Sequence, residues 1–330
     1  MMRFFHRLPA TLWCAWLAVA SANASEPPQL EGELAIHDPS TVVKCDGQWW
    51  VFGTGFGILS RCSDDLKTWR SGPPVFTNAP SWRTNIAPRH NGRFWAPDVI
   101  RVADRYLLYY SVSSWGSRES AIGLATNATL NPRSPGYGWQ DGGMVVRTTS
   151  SDNHNAIDPA AWLDSDGRLW LAFGSYWSGI KLIELNPLTG LRLATNSPIH
   201  SLAWHDSIEA ACLFRHADQY YLFVNWGQCC RGTNSTYEIR MGRSRAITGP
   251  YLDQEGNDMM RGGGTSFLKT SGDYVGPGHA GILHAGDTDW LSYHFYDRRQ
   301  RGRSMLDLLP ISWGTNAWPQ VQPRPAQPRQ

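Results

Sequence analysis

A pattern that recurs five times along the chain limits the fold more than any other feature. Each copy has a polar residue beside Pro or a small residue, a short apolar strand, a turn of Asp, Gly or Gln type, and a strand rich in aromatics. The copies read HDPSTVVKCDGQWWVFGTG with Asp38, APDVIRVADRYLLYYSV with Asp98, IDPAAWLDSDGRLWLAFGS with Asp158, IEAACLFRHADQYYLFVNW with Glu209, and GHAGILHAGDTDWLSYHFY with His279. Units of this length, each holding several strands, predict a propeller or solenoid, and helical periodicity is nearly absent, so the fold class is all-β. In a propeller the inner strand of every blade starts at the same end of the channel, which would bring the five polar side chains together. Asp-Pro and Glu-Ala also open strands simply as turn residues. Five copies in register favour convergence.

The N-terminal residues stand outside this pattern. Arg3, His6 and Arg7 precede an apolar run from Leu12 to Ala20, and Ala22-Asn23-Ala24 has the small-x-small form of a cleavage site. Residues 1–24 therefore read as a signal peptide, with an apolar run too short to span a bilayer, and predict an exported protein, secreted or periplasmic. Residues 25–319 carry repeats almost without interruption and read as a single catalytic domain. Residues 320–330, QVQPRPAQPRQ, read as a disordered Pro/Gln-rich tail.

Charge is nearly balanced, with 30 basic against 28 acidic residues, which argues against a nucleic-acid partner or a polybasic membrane contact. The 17 Trp and 32 Gly suit aromatic cores and sugar stacking on one hand and tight turns on the other. Cys45, Cys62, Cys212, Cys229 and Cys230 follow the predicted cleavage site, and an odd number leaves at least one unpaired. Cys45 with Cys62, Cys229 with Cys230, or Cys212 with either of the last two are open pairings, and inert buried thiols are the alternative. Their spacing is not that of a zinc site.

Several carboxylates at one channel mouth raise one another's pKa. Glycoside hydrolysis needs that arrangement, one carboxyl kept protonated for the leaving oxygen and another ionised to activate water or attack carbon.

The motifs HDPS (37–40), SDDLKTW (63–69), FWAPDV (94–99), YYSVSSWGSRESAIGLATN (109–127), NAIDP (155–159), GSYWSGIK (174–181), IEA (208–210), CCRGTNSTY (229–237), GRS (242–244), TGPY (248–251) and GPGHAG (276–281) resemble, in this order, the arabinanase branch of glycoside hydrolase family 43. The resemblance covers nearly the whole chain after residue 24. It implies a five-bladed β-propeller, the number that the repeats give, and inverting hydrolysis of α-1,5-linked L-arabinofuranose chains. It further implies Asp38 as general base, Glu209 as general acid and Asp158 as the acid that tunes and orients it. His279 would hold a calcium ion on the axis, largely through water, because calcium prefers oxygen ligands. No organic cofactor is implied. Asp98 is left with a structural or pocket-wall role. Trp95 and Trp115 are candidates for sugar stacking, and Asn155 and Ser175 for sugar hydrogen bonds. The expected partner is a polysaccharide, arabinan or pectin side chains, acted on by a monomer. A related arabinofuranosidase or xylosidase keeps the same chemistry, and a propeller that only binds glycans is the non-catalytic alternative.

Overall fold

Strand Arg105–Ser113 is buried at nearly every position, so a sheet with one wet face cannot hold it. Successive side chains of a strand point to opposite faces. Tyr106, Leu108, Tyr110 and Val112 accordingly join one apolar cluster with Trp50, Phe52 and Phe94. Leu107 and Tyr109 join another with Leu169, Leu171 and Phe173. The strand is thus buried between neighbouring sheets on both sides. The computed structural model describes residues 27–325 and repeats this arrangement around a ring. Five sheets of four or five strands follow one another, built mainly on residues 31–71, 93–148, 160–203, 208–268 and 274–320. Five apolar clusters fill the joints between them. The cluster of Val51 and Trp69 with Leu283, Leu306 and Leu308 joins the last sheet to the first. The fold is the expected five-bladed β-propeller, here called blades 1 to 5. Among the described residues the only helices are Arg83–Ile86 and three 3-10 pieces.

At the head of the inner strand of each blade, one residue adopts left-handed backbone geometry: Asp38 (φ 49°), Ala96 (φ 42°), Asp158 (φ 55°), Ala210 (φ 54°) and His279 (φ 58°). Pairing breaks register beside three of them, between Trp95 and Asp98, between Glu209 and Cys212, and on both sides of Gly278. Such β-bulges re-aim side chains at sheet rims. The structure therefore corrects the repeat register. Asp98 lies two residues beyond the equivalent point and Glu209 one before it, because Ala96-Pro97 and Ala210-Ala211 hold the backbone place of Asp-Pro. Charge marked the repeats in the sequence, whereas backbone geometry defines them.

The left-handed residues knit the blades together. Ala96 N–H donates to Thr54 Oγ1 at 2.8 Å, Asp158 N–H to Ser111 Oγ at 3.0 Å and His279 N–H to Asn225 Oδ1 at 2.8 Å. Asp38 N–H donates to His294 Nδ1 at 3.1 Å and closes the ring. Asp98 is a structural staple and not a wall of the main cleft. Its carboxylate accepts from Thr41 N–H in blade 1 at 2.9 Å and from Ala161 N–H in blade 3 at 2.8 Å.

Closure also involves both ends of the described chain. Glu31 and Gly32 pair in parallel with Thr68 and Trp69 of blade 1, while Leu306 N–H in blade 5 donates to Leu34 O at 2.8 Å. The expectation of a free tail from residue 320 is corrected in part. Pro319–Gln320 pairs with Ser312 and Trp313, and Arg324 reaches Asp307 at 2.6 Å and the carbonyls of Pro27 and Pro28. Residues 326–330 and the expected signal peptide, 1–24, lie outside the described residues. Among the open cysteine pairings, Cys229 is bonded to Cys230, whereas Cys45, Cys62 and Cys212 are buried free thiols.

Candidate active site

All five blades contribute to one cleft of about 1130 Å³, which contains Asp38, Asp158 and Glu209. The residue just before each left-handed position faces it in four blades: His37, Trp95, Ile157 and Glu209. The fifth is Gly278, where an added Cβ would stand 2.4 Å from the Tyr237 ring. The three acids expected from the sequence therefore meet, and His279 lies beside them, its Nδ1 3.6 Å from Asp38 Oδ1.

The acids sit in different surroundings. Asp38 Oδ2 accepts from Thr54 Oγ1 at 2.5 Å and lies 2.8 Å from His37 Nδ1. Burial alone would raise the Asp38 pKa, but the charge and hydrogen bond of His37, with His279 and His294 nearby, hold it far below the usual carboxylate range. His37 responds in kind: burial opposes its charge, and the Asp38 carboxylate outweighs that and raises it. Burial keeps His279 and His294 on the neutral side, so His37 is the partner that matters. Tyr296 OH lies 2.8 Å from His37 Nε2 and accepts from Cys230 N–H at 2.8 Å.

Among the described residues no cation is hydrogen-bonded to Glu209, and His37 acts on it only through its charge. Burial, reinforced by the Asp38 charge, outweighs the hydrogen bond from Ser175 and pushes its carboxyl up to about 7. Ser175 Oγ donates to Glu209 Oε2 at 2.7 Å, and Tyr237 OH donates to Oε1. Asp158 is raised by burial and by the charges of Glu209 and Asp38, against the single N–H that Ala210 donates to its Oδ2 at 3.2 Å. Both carboxyls are thus pushed toward the protonated form, and they titrate as a pair. The cleft combines one carboxylate locked in its charged form with a carboxyl pair that retains a proton near neutrality. That is the division of labour which general base and general acid require.

Trp95 and Trp115 line the cleft, Trp115 with 80% of its surface exposed. Asn155 and Ser175 line it too, and both also bond within the protein. Asn155 Oδ1 accepts from Ser175 N–H at 2.8 Å, and the Ser175 hydroxyl goes to Glu209. Together they form a hydrogen-bonded chain that ends on Glu209. His37, Thr54, Tyr237, Tyr296 and His294 were not singled out from the sequence. His37 adjoins Asp38 and could have been found from that proximity, whereas Tyr237 lies in a polar loop without periodicity and was marked only as the last residue of the CCRGTNSTY motif.

The donors around His279 do not form an oxygen cage. Among the described residues, the two groups that bring three ligand atoms within 4.8 Å are His37 with Cys229 and Cys230, and His37 with Asp38 and His294; neither includes His279. Cys229 and Cys230 are engaged in their disulfide, and the other group offers one carboxylate beside two imidazoles, so these residues do not fit calcium in an all-protein shell.

Comparison with known proteins agrees with this geometry. The model of glycosyl hydrolases family 43 matches residues 30–319. An extracellular exo-α-(1→5)-L-arabinofuranosidase, ArbA, of Cellvibrio japonicus is 40% identical over 324 residues, covering 94% of this chain and 92% of that protein. An extracellular endo-α-(1→5)-L-arabinanase of Bacillus subtilis is 39% identical over 325 residues, covering 96% and 97%. The solved α-L-arabinanase of Cellvibrio cellulosa, complexed with arabinohexaose, superposes with a TM-score of 0.84 at 38% identity over 88% of this chain and 96% of that one. With a five-bladed ring, an acid-lined cleft and a family match along almost all of the described chain, the protein belongs to glycosyl hydrolase family 43.

Proposed function

We propose that the protein hydrolyses α-1,5-linked L-arabinofuranosyl chains of arabinan with inversion at the anomeric carbon. The observation that carries this reading is that Asp38, paired with His37, and Glu209, buried and bonded only to hydroxyls, face one cleft. Asp38, kept ionised by His37, is the general base that takes a proton from the attacking water. Glu209, kept protonated by burial, gives its proton to the departing glycosidic oxygen. Asp158 adds negative charge that keeps the proton on the pair, and through Ala210 N–H it fixes the strand that carries Glu209. Asn155 and Ser175 hold the acid from the other side, while Trp95 and the exposed Trp115 offer flat surfaces for sugar rings. Arabinan as substrate is supported by the names of the relatives.

If calcium is part of the reading, His279 would hold it largely through water, and the ion would supply positive charge near Asp38. Export is supported by the basic and apolar start of the sequence and by the extracellular relatives. The enzyme acts as a monomer on polysaccharide.

Incubation with linear, debranched arabinan tests the activity, with xylan and an aryl arabinofuranoside as controls. Reducing ends should appear from arabinan alone, and Asp38→Ala and Glu209→Ala should each lose about 10²- to 10⁴-fold in turnover. Activity confined to xylan or the aryl glycoside would move the substrate to another branch of the family. A time course of product size separates a falling ladder of internal cuts from early release of one short oligomer by attack at chain ends.

A further inference from the structure

Each blade presents to the cleft the side chain that precedes its left-handed residue, except blade 5, where that residue is Gly278. Tyr237, from blade 4, fills the gap. A Cβ on Gly278 would collide with its ring at 2.4 Å, so the glycine is the space that admits the tyrosine. The ring is 3% exposed, leans on His294 at 6.2 Å between centroids, and directs its hydroxyl onto Glu209 Oε1. The loop that delivers it is fastened at several points. Thr236 N–H donates to Gln228 O at 3.0 Å, and Gln228 N–H to Thr236 Oγ1 at 3.0 Å. Arg231 N–H donates to Ser235 Oγ at 3.0 Å, and Cys230 N–H to Tyr296 OH at 2.8 Å.

We propose that Tyr237 is the positioning residue of the proton donor: its phenol holds the Glu209 carboxyl in place and donates a hydrogen bond to the carboxylate left once the proton has gone. The inference rests on the reading of Glu209 as general acid. In that step the bond between anomeric carbon and glycosidic oxygen breaks, the carboxylic proton passes to the departing oxygen, and Glu209 becomes an anion. Ser175 supports Oε2 and Tyr237 supports Oε1, so neither oxygen of the new carboxylate is left without a donor. Hydrogen bonds to a charged acceptor are about twice as strong as those to a neutral one. The phenol therefore stabilises the transferring state more than the resting state, which is the condition for raising turnover rather than affinity.

Tyr237→Phe keeps the ring and removes the donor. On linear arabino-oligosaccharides its kcat should fall roughly tenfold, the rate equivalent of one hydrogen bond to a charged group, with KM unchanged within about twofold. Loss of a donor to the carboxylate raises its pKa, so the alkaline limb of kcat should move up by roughly half a unit or more. Site-specific 3-fluorotyrosine at position 237 has nearly the same shape and a more acidic phenol, and should move that limb down. A Tyr237→Phe enzyme with an unmoved limb and near-normal kcat overturns the inference. So does one in which KM alone rises, which would make Tyr237 a sugar contact. Glu209→Gln distinguishes the two levels: retained turnover there overturns the acid assignment itself, whereas its loss beside an unmoved Tyr237→Phe profile overturns only the part given to Tyr237.

Discussion

Asp38 and Glu209 share one cleft and hold their protons in opposite ways, and the pH dependence of the enzyme follows from that difference. With Asp38 as the proposed base, held low by His37, activity should be lost only at distinctly acid pH. With Glu209 as the proposed acid, raised to about 7, activity should decline as pH rises through neutrality. Asp158→Asn removes a negative charge next to the proton donor. The remaining carboxyl then ionises more easily, and the alkaline limb should shift to lower pH while the fold is kept. Initial rates on arabinan across pH measure it, and an unchanged profile would leave Asp158 only its backbone bond to Ala210. Asp38, Asp158 and Glu209 could be read in the sequence because Asp-Pro and Glu-Ala recur at the heads of aromatic strands. The supports of Glu209 could not. Ser175 and Tyr237 reach it from 34 and 28 positions away, and nothing local marks a hydroxyl that will meet a carboxylate only after the ring closes.

At the level of the strand, Asp98 separates apparent equivalence from actual equivalence. It shares the Pro-linked appearance of the catalytic candidates, yet it stands two residues past the left-handed position and faces two backbone N–H groups of other blades rather than the cleft. Burial raises its pKa against those hydrogen bonds. Asp98→Ala would leave the half-buried N–H groups of Thr41 and Ala161 without their acceptor, at about 1–3 kcal/mol each. Urea unfolding should show a loss on the order of 3 kcal/mol, with specific activity of the folded fraction largely retained. Equal loss of activity and stability would instead tie Asp98 to the chemistry. The strands themselves were legible, since continuous apolar runs flanked by Asp-Gly and similar turns need sheets covered on both faces. Their bulges were not, because the extra residue is set by pairing with the neighbouring strand.

For the whole molecule, closure of the ring is the step on which the cleft depends, as His294 of blade 5 receives the backbone N–H of Asp38 in blade 1. Arg324 reinforces this closure from the opposite end of the chain. Its guanidinium and the Asp307 carboxylate are both largely buried, and removing one charge strands the other. Arg324→Ala should cost about 3 kcal/mol and lower the melting temperature. Arg324→Ala with Asp307→Asn should recover part of the loss, and an unaltered melting temperature for the single variant would make the contact dispensable. Five aromatic repeats, alternating side chains and acids at strand heads are local properties, so the sequence alone determined an all-β ring of five units and most of its reactive groups. Which residue of each repeat takes the left-handed turn, where Tyr237 and Ser175 land, and that Arg324 belongs to the ring were decided only by tertiary structure. Each depends on contacts between blades distant in sequence, and packing and hydrogen bonding across those joints have no signature in any one segment.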